Sequence, residues 1–402
     1  MTPLKKSVVA AWSMFDFANS SFAMIMVTFV YPLYFGNHIV NDGHGDFYWG
    51  ASMSASMLLV ALVAPALGAI ADATRSKKKF LFAFTLVSVL CTAGTYFLVP
   101  GMILAGALLF IFANAGFEGG IVFYDAFLPE ISPPEKYGRV SGYGFAVGYF
   151  GSLAAILVNM SLLGSERYKE TFLVTAVMFA VFSIPLFLFV PEHKRQQTDD
   201  SILTTITNGF RQVFKTIGNI RRYRNVSIFL VAFFLYNDAI LTVIGFSGRY
   251  AKNTLGFETS DLIALLLMVQ LIAVVGSLGF GWYSDKHGAK RTIIITLFIW
   301  LGVIVGAYFS EDKTSFFIVA AVVGLALGSS QSASRSMMAH LTPSEHTTEF
   351  FGFYDGFCGK ASAVVGPLIF GVLSDMISQR AAIVSLAAFF VAGLVLMRRV
   401  EE

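Results

Sequence analysis

The stretch Gly281-Trp-Tyr-Ser-Asp-Lys-His-Gly-Ala-Lys-Arg291 ends one long apolar run and opens the next. Its pattern occurs twice. Gly68-Ala-Ile-Ala-Asp72, followed by Lys77 and Lys78, stands between two earlier apolar runs. Gly68 to Gly281, Asp72 to Asp285, Lys77 to Lys290 and Lys78 to Arg291 are four equal steps along the chain. A second set of matches follows at a step three residues shorter: Ser132-Pro-Pro-Glu135 faces Thr342-Pro-Ser-Glu345, and Gly142 faces Gly352. Asn19 and Asn237 also pair across the halves. Two copies of one pattern in a single chain are the trace of a parallel internal repeat, a common architecture among secondary transporters.

The runs around these loops are long. Twelve are predicted as helices, near residues 9–36, 47–71, 79–99, 101–127, 139–163, 171–190, 225–250, 259–283, 291–309, 316–340, 350–375 and 380–397. Composition agrees: of 402 residues 56% are hydrophobic and 13% charged, with mean hydropathy +0.70. A soluble domain carries about 25% charged residues. At roughly 20 residues per span plus a loop, twelve helices consume the chain. The expectation is an all-α polytopic membrane protein in two pseudo-symmetric six-helix bundles, residues 1–190 and 225–402. A cytoplasmic linker, 191–224, joins them. Within it Ile202, Ile206, Phe210, Phe214 and Ile217 recur at helical spacing with Arg211, Lys215, Arg221 and Arg222 elsewhere, the pattern of a membrane-surface helix. An ordinary solvated linker is the alternative.

Sidedness follows from the basic residues. With the N-terminus inside, the outer loops hold Arg167, Lys169, Arg249, Lys252, Lys313 and Arg380, and most of the other 22 of 28 Lys and Arg fall on the cytoplasmic side. Both termini are therefore expected in the cytoplasm, in a cell (inner) membrane. Lys5 and Lys6 ahead of an apolar run look superficially like a signal peptide, but the run continues past Asp16 and Asn19 and reads as a first span.

Several functions are excluded. A net charge of +3 is too balanced for a nucleic-acid binder. Cys91 and Cys358 stand alone, so no disulfide frame or thiolate metal site is expected. No metal or cofactor is implied. The six histidines lie in loops or at helix ends and form no HExxH. No G-x-x-x-x-G-K-[ST] string occurs, so energy would come from a solute or ion gradient. An alternating-access transporter of a small-molecule substrate, monomeric in the bilayer and with protons as a coupling ion, fits best. A membrane-embedded enzyme and a lipid-headgroup flippase are the alternatives.

Charges inside spans cost roughly 2.5–3.5 kcal/mol at the bilayer centre, so each requires a reason. Asp238 lies about 20 Å deep, and Asp16 about 14 Å. Asp16, Asn19 and Ser20 share one helical face. Glu118, bracketed by glycines, reads equally as a cavity carboxylate or a buried packing residue. Lys360 could pair with a carboxylate or hold an anionic substrate group. Asp125 and Arg335 end the fourth and tenth spans at equivalent positions, beside Asp72, Arg75 and Asp285. They read as cytoplasmic gate contacts, with Asp285 on Arg335 and Arg75 on Asp125. Gly68, Gly281 and Arg291 belong to the same loops. Glu349 and Asp355 open the eleventh span, where carboxylates complement the helix dipole.

The glycine-aspartate-basic loops resemble the signature between helices 2 and 3 of the major facilitator superfamily. A narrower resemblance, to the vacuolar amino-acid effluxer (autophagy-related) branch and its bacterial members, is carried by six stretches. These are WSMFDFANSSF from Trp12, YDAFLPEI from Tyr124, GRVSGYGFAVGYFGS from Gly138, FLVAFFLYNDAILT from Phe229, SQSASRS from Ser330 and EFFGFYDGFCGKASAVVGPLIFG from Glu349. The resemblance implies the major facilitator fold, with the first and seventh helices lining a central cavity. Asp16, Asn19, Asn237 and Asp238 would then face substrate or exchange protons, or else form structural hydrogen bonds between helices. Gln270 and Gln331 join them as cavity candidates. The implied cargo is an amino acid or similar polar metabolite, exported from the cytoplasm.

Overall fold

The structure, a computed structural model, describes residues 5–41, 43–192, 202–219 and 222–401. Arg221 of the expected linker helix lies outside the described residues, and so do the side chains of Ile202, Ile206 and Arg249. Among the described residues twelve helices are long and apolar enough to cross a membrane, and there is no strand. They are α1 Lys6–Ile39, α2 Gly45–Thr74, α3 Lys77–Phe97, α4 Ile103–Ile131, α5 Pro134–Gly164 and α6 Tyr168–Phe189. The second set is α7 Arg224–Lys252, α8 Ser260–His287, α9 Ala289–Phe309, α10 Lys313–Leu341, α11 Thr347–Met376 and α12 Gln379–Arg398. Each coincides with one expected span, usually extended by a few residues. The amphipathic stretch of the linker forms a helix over Ile202–Gly218.

Local chemistry explains the boundaries. Asp312 starts α10 by accepting the Ser315 N–H at 2.7 Å, and Ser378 starts α12 through Ala381 N at 3.2 Å. At the end of α2, Arg75 adopts a left-handed φ of 47°, and Gly288, its repeat equivalent after α8, has φ 92°. Both loops turn at positive φ, but differently: Arg75 is left-handed with ψ 52°, whereas Gly288 has ψ 147°, a conformation that glycine alone takes readily. Just past α6, Glu192 accepts Lys78 N at 3.0 Å and Lys78 Nζ donates to Val190 O at 2.6 Å. Burial raises the Glu192 carboxyl above the usual range against the pull of these lysine contacts. Among the described residues three segments are π-helical: Ala23–Phe29 and Phe35–Ile39 within α1, and Gly352–Cys358 within α11. Such turns bend a helix and recur at functional positions.

Packing divides the chain into two compact units. Unit 1 comprises Met1–Ile131, Val147–Phe214 and Ser344–Phe357, and unit 2 comprises Ser132–Ala146, Lys215–Pro343 and Cys358–Glu402. In unit 1, α1 packs on α6, α3 on α4, α2 on α4 and α3 on α6. Unit 2 repeats this with α7 on α12, α9 on α10, α8 on α10 and α9 on α12. The sequence repeat is therefore a repeat of helix pairings. In unit 1, Trp12 is fully buried and stacks on Tyr124 at 4.6 Å. In unit 2, Trp300 stacks on Phe390 at 5.6 Å and donates to Ser330 Oγ at 2.9 Å, so its indole N–H is satisfied away from water.

Candidate functional site

The two loop aspartates sit at helix ends that sequence assigns to the cytoplasmic side, called inner ends below. A helix start leaves backbone N–H groups without partners, and its partial positive charge favours an anion. In unit 1, Asp72 at the inner end of α2 supplies that anion to α11: Thr348 N donates to Oδ1 at 3.0 Å and Glu349 N to Oδ2 at 2.9 Å. In unit 2, Asp285 at the inner end of α8 does the same for α5. Arg139 N donates to Oδ1 at 3.2 Å, and Arg139 Nε donates to Oδ2 in an ion pair. Thr348 and Glu349 are the repeat equivalents of Gly138 and Arg139, on the same step as Gly352 and Gly142. Both locks are one design.

Glycines make both locks possible. A Cβ on Gly68 would overlap the Thr348 carbonyl, and a Cβ on Gly281 would stand 2.6 Å from the Gly138 carbonyl. One turn along, Gly142 lies against the Ser277 backbone and Gly352 against that of Ala64 and Pro65. Small residues here let two helix backbones touch.

The locks differ in charge. Asp285 faces a cation, whereas Asp72 has Glu349 at the equivalent place. Glu349 is fully buried, and His346 Nδ1 lies 3.2 Å from its Oε2. The unit 2 lock is an ion pair, while the unit 1 lock holds two carboxyl groups and an imidazole.

Both expected gate pairs are corrected. Asp285 takes Arg139 rather than Arg335, because Arg139 stands in the first turn of the α-helical part of α5, Tyr137–Gly164, whose backbone N–H the aspartate accepts. Arg335, 1% exposed, donates to Ser141 Oγ at 3.0 Å and Ser141 O at 2.8 Å, with its guanidinium 4.0 Å from the Phe145 ring centroid. Arg75 does not reach Asp125: the left-handed turn leaves its side chain exposed, while Asp125 is 3% exposed inside unit 1. Arg291 is exposed. Asp355 is half-buried on the π-helical turn of α11.

The polar residues within spans fall into two groups. In unit 1, Asp16 is buried and its Oδ2 accepts the Tyr124 hydroxyl at 2.7 Å. Asn19 Nδ2 reaches Asp16 Oδ1 at 3.5 Å, and Trp12 Nε1 donates to Tyr124 O at 3.1 Å. This face joins α1 to α4. Glu118 is buried one turn beyond Asn114, which donates to Ser56 Oγ at 2.8 Å. In unit 2, Asp238 is fully buried and its Oδ2 accepts Gly366 N at 2.7 Å. Gly366 precedes Pro367, which has no N–H and interrupts α11 locally. Asp238 Oδ1 is buried without a hydrogen-bond partner among the described residues. Its neighbour Asn237 is half-buried and donates to Ser362 Oγ at 2.7 Å. Gln270, Gln331 and Lys360 are half-buried, and Gln270 Oε1 is likewise buried without a partner among the described residues.

Sequence reasoning missed Arg139, Ser141, Tyr124 and His346. The repeat step from Gly142 to Gly352, run back three residues, pairs Arg139 with Glu349 and was the available signal for the first. Removing the Tyr124 hydroxyl is a direct test of the α1–α4 contact. Tyr124→Phe is expected to cost about 2 kcal/mol, the range of a hydrogen bond to a charged group. The readout is a lower thermal midpoint in detergent, and an unchanged midpoint would deny the bond any structural weight.

Comparison with known proteins adds to this geometry. Residues 48–402 match the family model described as "Vacuole effluxer Atg22 like". An uncharacterized MFS-type transporter of Bacillus subtilis, YxiO, is 31% identical over 98% of this chain and 94% of its own. Autophagy-related protein 22 of Coccidioides immitis is 26% identical over 81% of this chain and 67% of its own. Among solved structures, the human organic anion transporter MFSD10 superposes with a TM-score of 0.79 at 12% identity, covering 99% of this chain and 100% of that one.

Proposed function

The chain belongs to the vacuole effluxer Atg22-like family and is a membrane transporter of the major facilitator type; from that premise we propose that it exports a small polar metabolite of the amino-acid class by alternating access. One observation carries the reading. Two repeat-equivalent carboxylates, Asp72 and Asp285, each hold the start of a helix that belongs to the other sequence half. A transporter rocking around a midplane site has to make and break such contacts in every cycle.

The two bundles of the proposal are 1–190 and 225–402, with both termini in the cytoplasm of a cell whose plasma membrane holds the protein as a monomer. Protons are the proposed coupling ion, with Asp238 as their carrier. Asn237, Gln270, Gln331 and Lys360 from unit 2, and Asn19, Asp16 and Glu118 from unit 1, are the proposed contacts for substrate and proton.

Purified protein in proteoliposomes tests the substrate class. Counterflow of labelled amino acids, accelerated by a pH gradient, is the expected result. Scrambling of fluorescent lipid without amino-acid counterflow would replace this reading with a lipid-headgroup flippase of the same fold.

A further inference from the structure

The linker helix Ile202–Gly218 leaves one face uncovered. Phe210, Phe214 and Ile217 are 45%, 71% and 50% exposed, and at spacings of four and three residues they lie in one stripe. The opposite flank is occupied. Gly209 and Thr216 are buried, and a methyl group on Gly209 would collide with Ile70 of α2 and come within 3.2 Å of Ala66 O. This contact fixes the helix's depth. Ile70 stands four residues before Thr74, the end of α2, or about 6 Å inside that end along the axis. The helix therefore packs beside the inner end of α2 rather than beyond it.

Charge selects the lipid. From Ser201 to Arg224 the chain contains no Asp or Glu. Arg211 and Lys215 are exposed about 60–140° round the helix from the two phenylalanines, where long side chains reach headgroups while the rings enter the acyl boundary. Among the described residues neither has an ion-pair partner. Arg222 and Arg224, just beyond the helix, are also exposed. An apolar stripe bordered by unpaired cations and no anions is the surface chemistry that binds an acidic leaflet.

We propose that the linker helix docks on anionic lipid headgroups of the inner leaflet, with Phe210, Phe214 and Ile217 inserted and Arg211 and Lys215 on the phosphates. Because Gly209 seats the helix on α2, the lipid would hold the inner end of unit 1 as well as the linker. The inference does not depend on what the protein carries.

The test uses full-length protein with Phe214→Trp in nanodiscs of phosphatidylcholine, with and without phosphatidylglycerol. The added fluorescence is read as a difference from the parent protein. The new indole is expected to be blue-shifted and quenched by acyl-brominated lipid, more strongly with phosphatidylglycerol. Arg211→Glu with Lys215→Glu should abolish that increment, roughly a tenfold or greater loss in the docked-to-undocked ratio for two cations. Quenching by aqueous iodide in both lipids would overturn docking. Shielding from both iodide and brominated lipid would mean that another part of the chain covers the stripe, and would equally overturn it. Quenching that ignores phosphatidylglycerol and the charge reversal would overturn the anionic-lipid assignment.

Discussion

Asp285→Ala is expected to free the start of α5 and to raise hydrogen exchange across Gly138–Ser141 roughly thirty-fold, for a loss of about 2 kcal/mol. The aspartate side chain is 3% exposed and satisfies both the backbone and the guanidinium of Arg139, so alanine leaves two donors without an acceptor. Transport should fall with it, because a lock that no longer closes leaves the protein on one side of its cycle. Asp285→Asn keeps one oxygen for the Arg139 N–H and should lose less. Exchange at Gly138–Ser141 that matches the parent protein would remove Asp285 from the gate. The contact is confined to unit 2, so the readout does not depend on how the two units are arranged.

Asp238→Asn is expected to fold, to retain substrate exchange, and to lose pH-driven accumulation by at least about tenfold, since one lost proton step removes a driving force of about 1.4 kcal/mol per pH unit. Folding should survive because the amide oxygen can accept Gly366 N in place of the carboxylate oxygen. What disappears is the ability to bind and release a proton at a fully buried carboxyl group, one of whose oxygens has no partner among the described residues. Asp238→Ala differs in kind: it strands the Gly366 N–H beside Pro367, at a cost of about 1–3 kcal/mol in stability. Loss of binding in the asparagine variant would make Asp238 a recognition residue. Accumulation equal to the parent protein's would reject both roles and turn attention to Asp16 and Glu118.

The contrast between these residues shows what a sequence carries. The twelve spans were legible because hydropathy acts inside one helix, and the repeat was legible because Gly68, Asp72, Gly281 and Asp285 serve the same close helix contact in each unit. The partner of Asp285 was not, because it depends on which helix start lies against α8, a tertiary fact with no local pattern. Reading Arg335 as that partner placed opposite charges at neighbouring helix ends, but Arg335 is engaged by Ser141 and Phe145 instead. Asp16 has the same lesson. The face it shares with Asn19 and Ser20 was readable, yet the group it meets there is Tyr124, more than one hundred residues away. The π-helical turns of α1 and α11 left no mark in residue type at all.

The starts of α5 and α11 have a consequence for how the protein is made. Residues 344–357 complete unit 1, so the first six helices emerge from the ribosome with the groove beside Gly68 and Asp72 unfilled. That groove stays open until nearly the whole chain has been synthesised. Unit 2, in turn, waits with Ser132–Ala146 already inserted and no α8 to receive it. Unit 1 cannot be finished before the start of α11 is made, so quality control that senses unsatisfied helix ends would see an incomplete protein until α11 arrives. Truncation anywhere before Thr348 should accordingly yield material that is degraded rather than a stable half-transporter.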